Sequence, residues 1–253
     1  MNVNFAFFKK EIKEILRAPR YITLFILFVA FGILSPATAK FMNEIFVLFA
    51  VDIPIVLPDP HYLDAWEQIF KNTNTLLIIV YMIMLSGSIV SEKIKGSILL
   101  VLSKNVSRSN FVLSKVFAGY LVFFVCFTAS LLIGMLYTQI LFQEVWFSGA
   151  GYAILLSYLM GLTFTAIAIF VSIVSKSSTI AALLGFVGFT VLSIFTVIPQ
   201  LVKFNPLGAT ALISGIMHQT VETVDIWINV GAMVVFFGAL VGFGIYLFKR
   251  QEL

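Results

Sequence analysis

Six apolar runs, each near or above the length a helix needs to cross a bilayer, leave this chain few folds to choose from. They are 21–42, 75–91, 111–141, 151–174, 179–198 and 225–248. A helix needs roughly 20 apolar residues to cross the hydrocarbon core. The runs are continuous, whereas a barrel would show alternating segments of about ten residues. Charged residues make up only 11% of the chain and hydrophobic ones 60%, so too little polar surface exists to wrap a water-soluble core. The expectation is one all-α integral membrane domain over residues 1–253, with six transmembrane helices. The first run carries Pro36 late, which predicts an irregular outer end.

Six spans put both ends of the described topology on one side. That side collects Lys9, Lys10, Lys13, Arg17, Arg20, Lys93, Lys95, Lys104, Arg108, Lys176, Lys249 and Arg250, with Lys115 read as snorkelling to it from inside the third span. Only Lys40, Lys71 and Lys203 fall on the other side. The positive-inside rule then makes the termini cytoplasmic. The same bias accounts for the basic charge without nucleic acid. Basic residues followed by Tyr21–Leu34 and Ala37-Thr38-Ala39 imitate a secretory signal, but the preceding segment is long and carries Glu11 and Glu14, so no cleavage is expected.

Residues 4–17 read NFAFFKKEIKEILR. Phe5, Phe8, Ile12, Ile15 and Leu16 recur at helical spacing, with Lys9, Lys10, Lys13, Glu14 and Arg17 opposite. This is an interfacial amphipathic helix, either a plain anchor or a lever coupling a partner to the first span. Pro19 disfavours helix at Ala18 and lets the chain turn. Residues 91–115 read SEKIKGSILLVLSKNVSRSNFVLSK, a basic frame around an aliphatic string. Ile94, Ile98, Leu99 and Leu102 would share one face of a short helix, and Ser107 or Ser109 can N-cap the third span. A helix of ~10 residues is too short to span and marginal alone. It must dock on the bilayer surface, on its own bundle or on another protein.

The order Val90-Ser91-Glu92-Lys93-Ile94-Lys95-Gly96-Ser97, Leu102-Ser103 and Val106-Ser107-Arg108 resembles the signature of ABC-2 type permeases between their second and third spans. Lys10-Glu11-Ile12-Lys13-Glu14 with Arg17, Asn205-Pro206-Leu207 and the Phe248–Leu253 end are similar to that family as well. Ser97 replaces the usual Thr, Asn105 stands where Pro is common, and no acid follows the Gly-Ser pair. The resemblance implies a six-span permease, with residues 92–105 as a coupling-helix loop seated in a separate ATP-binding cassette subunit. It implies that Ile94, Ile98, Leu99 and Leu102 are docking knobs around Gly96, and that Glu92 and Arg108 anchor the flanks. The interfacial helix (Phe8, Lys9, Lys10, Glu11, Ile12, Glu14, Ile15) is a second candidate site on the same cytoplasmic side. The resemblance also implies ATP and Mg on the partner, a second permease copy or paralogue, and a bacterial plasma membrane. The chain resembles small bacterial permeases for peptide export or self-protection, such as phenol-soluble modulin exporters.

Motifs that are missing narrow the function. No Gly-Lys dipeptide occurs, so there is no P-loop, and neither GxSxG nor HExxH is present. Two His and one Cys leave few parts for a nucleophilic site, and Asp59-Pro60-His61 with Asp64 reads as a solvated loop rather than a metal site. No cofactor or metal is expected in this chain. The span interiors lack acids and bases, which argues against ion coupling. Tyr120, Tyr137, Gln139, Tyr158, Thr163 and Thr165 either line a pathway or bond between helices. Gly185 with Gly188, and Gly238 with Gly242, favour close packing within the chain over a dimer seam. The 43–74 loop, with a fairly apolar 41–57 stretch that suits a re-entrant or interfacial segment, is an outer gate or a lid. The leading function is export of an apolar or amphipathic substrate, powered by a separate ATPase. An ATP-independent channel would need a polar constriction, which the sequence does not show. An intramembrane enzyme lacks its nucleophile–base pair.

Overall fold

A computed structural model describes residues 5–49, 58–103 and 106–251. The described residues are helical, without strands, and six helical stretches are long and apolar enough to cross a membrane. Helix α1 (Phe5–Arg17) ends at Ala18, whose extended backbone (φ −85°, ψ 117°) precedes Pro19 at the first turn of α2 (Pro19–Lys40). Proline excludes helix from the residue before it and is tolerated where no intrahelical N–H is needed, so Pro19 both stops α1 and starts α2.

The predicted irregularity at Pro36 is absent: α2 continues to Lys40 and α3 (Met42–Phe49) follows at once. Packing explains this. Pro36 is buried, and the preceding turn is held by the Ser35 hydroxyl, which donates to the Phe31 carbonyl at 2.6 Å and accepts from Asn72 at 2.9 Å. Part of the apolar 41–57 stretch, residues 50–57, lies outside the described residues.

The second span begins at Tyr62, well before Thr75. Helix α4 (Tyr62–Lys71) leads through a π-helical turn (Asn72–Leu77) into α5 (Ile78–Ser86) and α6 (Val90–Ile94). The exposed loop at 58–61 ends in a capping box. The His61 backbone N–H donates to Asp64 Oδ2 at 2.7 Å, and His61 Nδ1 accepts from Leu63. The wider π turn buries Asn74, whose amide donates to Ser157 at 2.9 Å.

Helix α7 (Ser97–Leu102) leads to α8 (Arg108–Phe142), which is N-capped by the Ser107 hydroxyl. Helix α9 (Ala150–Val174) is the centre of the bundle, touching α5, α8, α10 (Ser178–Phe195), α12 (Ala209–Met217) and α13 (Thr223–Arg250). Small residues allow the closest crossings. A Cβ on Gly32 would lie 2.7 Å from the Ser130 carbonyl oxygen of α8, and one on Gly161 would lie 2.0 Å from the Phe123 ring.

Residues after the fifth span are more ordered than a plain outer loop. Helix α11 (Pro199–Val202) and a 3₁₀ turn (Pro206–Gly208) lead into α12, which buries Leu212, Ile213, Ile216 and Met217. Asn205 holds this turn. Its side chain donates to the Leu192 carbonyl at 2.7 Å and accepts from the Leu207 N–H at 3.1 Å, while Asn229 of α13 donates to the Asn205 carbonyl at 2.9 Å. Gly238 and Gly242 contradict the expectation of packing within the chain. A Cβ at either would meet nothing within 4 Å. Gly185 does face Met82 of α5, 3.4 Å from an added Cβ.

Candidate functional site

Five elements meet at one rim of the bundle: α1, the α6–α7 segment, and the adjoining ends of α8, α9 and α13. The left-handed backbone of Gly96 (φ 69°) breaks the segment into two short helices, with room around it for a side chain but no easy backbone for one. The expected single face therefore does not form. Ile94, at the end of α6, is 64% exposed, and Leu99, in α7, is 52% exposed. Ile98 is only 2% exposed and belongs to the core, so it is not a surface knob. The Leu102 side chain lies outside what the structure describes.

The segment is tied to the spans at several points. The Ser172 hydroxyl of α9 accepts from the backbone N–H groups of Ile89 and Val90 at 2.9 and 3.1 Å. The Lys93 ammonium donates to the Ile173 carbonyl, which also accepts from Gln251 at 3.0 Å. Most telling is Lys115. It does not snorkel to water: its ammonium pairs with Glu11 of α1 at 2.5 Å and with Glu92 of α6. All three residues are buried, with exposures of 3% for Glu11, 9% for Glu92 and 7% for Lys115. A buried charge is tolerated only when it is paired, so each carboxylate fixes its helix to the α8 lysine.

Arg108 has a related role. Its Nη1 donates to the carbonyls of Phe248, Lys249 and Gln251 at 3.1, 2.9 and 2.8 Å, neutralising the end of α13, where carbonyls lack helical partners. Beneath it, Phe111 stacks between Phe7 of α1 and Phe248 of α13, with centroids 5.4 and 5.5 Å away. Arg108 thus anchors the last helix to the start of α8.

Helix α1 packs differently from its sequence pattern. Among its described side chains it buries Phe7 and Glu11, whereas Phe8, Ile12 and Ile15 are half-buried and Lys9 and Lys10 exposed. The side chains of Phe5 and Leu16 lie outside the described residues. Lys10 bridges Glu14 at 2.9 Å and Glu11 at 3.2 Å. Burial lowers the Lys10 pKa, but the hydrogen bond to Glu14 and the charges of Glu11 and Glu92 outweigh it and leave the pKa above its usual value. Burial likewise pushes the Glu14 carboxyl up, and Lys10 more than offsets it, leaving it below the usual range. Carboxylate oxygens of Glu11, Glu14 and Glu92 lie within 4.8 Å of one another. The Lys10 and Lys115 ammoniums already supply positive charge to that cluster.

The candidate pathway residues scatter. Thr163 and Thr165 are fully buried and donate to carbonyls of their own helix at 2.9 and 2.7 Å, with Thr165 also bonded to Tyr81 at 2.5 Å. Tyr158 bonds to Thr128 of α8 at 2.7 Å. Tyr120 and Tyr158 flank Phe124, with centroid distances of 6.4 and 5.1 Å. Tyr137 is half-buried, and the exposed Gln139 donates to the Gln143 carbonyl at 3.0 Å.

Sequence reasoning missed the Glu11–Lys115 pair, the Phe7–Phe111–Phe248 stack and Ser172. The available signal was Lys115 itself, a lysine seven residues inside an apolar helix. A family described as ABC-2 family transporter protein matches residues 5–253. No curated protein matches the chain.

Proposed function

This chain belongs to the ABC-2 family of transporter proteins, and on that premise we propose that it is the membrane subunit of an ATP-driven exporter whose ATPase is a separate chain. The observation that carries the reading is the rim. Ile94 and Leu99 stand out as exposed aliphatic side chains on a short segment whose base is bonded to α8 and α9 and, through Lys115, linked to α1. An apolar pair on a rigid base suits a groove in a partner. In this reading the ATPase carries ATP and Mg, its closure moves the segment that bears Ile94 and Leu99, and the Glu92–Lys115–Glu11 bridge passes the movement to α8 and α1. The rim is the cytoplasmic side, which agrees with its basic charge. A second copy or a paralogue completes the pathway, and the plasma membrane of a bacterium is its setting.

The substrate in this reading is apolar or amphipathic: a peptide, an antimicrobial or toxin, or a lipid-like molecule. The apolar spans favour it, and the choice among these classes rests on family analogy. Co-purification with a P-loop ATPase tests the docking. Leu99→Asp is expected to abolish co-purification while the permease stays folded. A folded Leu99→Asp protein that still binds the ATPase normally would overturn the role of that residue.

A further inference from the structure

Two cavities adjoin at the rim and share Ile15, Tyr21 and Ala118. One is a polar cavity of about 270 Å³, lined by Glu11, Glu14 and Glu92 and by Arg20, Lys95 and Lys115. The other is an apolar groove of about 330 Å³ between α1, α2 and α8, lined by Ile12, Ile22, Phe25, Leu121, Val125 and Cys126 among others. The groove is lined along α8 from Ala118 to Cys126, eight residues. At roughly 1.5 Å per residue that is about 12 Å, most of one leaflet of a hydrocarbon core ~30 Å thick. Lys115, one turn nearer the rim, lines the polar cavity, where that leaflet's headgroups lie.

The polar cavity balances three carboxylates against three cations, so it matches a headgroup carrying both signs. It also has unmet demand for a donor. Glu92 Oε2 and Ser88 Oγ are buried without a hydrogen-bond partner, and both residues line the cavity. Buried polar atoms left unpaired are costly. A primary ammonium has three donors and meets a carboxylate and a hydroxyl at once. Arg20 and Lys95 are exposed on the same cavity and suit a phosphate.

We propose that this joined cavity and groove is a binding site for a phospholipid of the rim-side leaflet with a zwitterionic, primary-amine headgroup. The ammonium sits between Glu92 and Ser88, the phosphate faces Arg20 and Lys95, and one acyl chain lies along Ile22, Phe25 and Val125. A phosphatidylglycerol headgroup is disfavoured, because its hydroxyls bring donors but no positive charge to the Glu92 carboxylate. The bound lipid would bridge α1 to the α6–α7 segment and to α8.

The test uses the full-length protein in vesicles of equal parts phosphatidylethanolamine and phosphatidylglycerol, extracted gently and weighed intact by native mass spectrometry. The expected result is preferential retention of phosphatidylethanolamine. Ser88→Ala and Val125→Trp should each reduce that retention about tenfold, the first by removing a hydrogen bond to a charge and the second by filling the groove. Val235→Trp, on an exposed face of α13, should leave it unchanged. Melting curves confirm that each variant is folded. Equal retention of both lipids, or full retention by folded Ser88→Ala and Val125→Trp, would overturn the proposal. Displacement by soluble glycerophosphoethanolamine would also overturn it, since the ligand would then be a headgroup without its chain. The readout needs no ATPase, so its failure is separate from any failure of the exporter reading.

Discussion

Lys115 of α8 and Glu11 of α1 pair at 2.5 Å inside the protein, and Glu92 closes the same ammonium from the other side. One lysine thus joins the first helix, the segment after the second span, and the third span. Removing it leaves the buried Glu92 carboxylate unpaired and Glu11 with Lys10 alone. Lys115→Met is expected to destabilise the protein by about 3–5 kcal/mol, read as a large fall in melting temperature in detergent. Glu11→Gln should cost less, because Lys115 keeps Glu92 and Lys10 keeps Glu14. Equal losses from both would mean that the lysine is not the hub.

Gly96 turns the chain between α6 and α7 in a left-handed conformation with open space around it. Gly96→Ala therefore meets no clash and pays only backbone strain, about 1–2 kcal/mol. Gly96→Asn is expected to cost less, since asparagine tolerates that conformation. Thermal unfolding ranks the three proteins. Gly96→Ala should also weaken ATPase binding, because straightening the break pulls Ile98 from the core.

The glycines of the bundle divide into two kinds. Gly161→Ala drives a methyl into the Phe123 ring and Gly32→Ala into the Ser130 backbone, so each should lower stability by about 1–3 kcal/mol. Gly238→Ala and Gly242→Ala meet nothing in the chain and should leave its melting temperature unchanged or raise it. If the second pair weakens self-association instead, a second copy lies against α13.

Much of this architecture is legible in one dimension. Hydropathy marks the six spans, because lipid demands long apolar runs. Proline and serine mark the Ala18 turn and the Ser107 cap, because both act on neighbouring backbone. Contacts between distant segments are less visible. Lys115 looks like a snorkelling residue until Glu11 arrives from α1, and Ile98 looks like a surface knob until Gly96 rotates its helix. Asn74 and Asn229 look like loop and span residues respectively, yet each is wholly buried and hydrogen-bonded to another element. Capping at His61 was readable from Asp64 three residues later, but the prolines nearby suggested a loop.

In the exporter reading the ATPase sits on the segment that exposes Ile94 and Leu99. Cys126 is the one native cysteine and is buried, so a Cys126→Ala background allows site-specific chemistry at Leu99. Cross-linking of Leu99→Cys to the co-expressed ATPase, with Val235→Cys on the exposed face of α13 as control, measures the contact directly. The expected result is a permease–ATPase adduct from Leu99→Cys and none from Val235→Cys. An ATPase that co-purifies yet gives no adduct from Leu99→Cys or Ile94→Cys would contradict it.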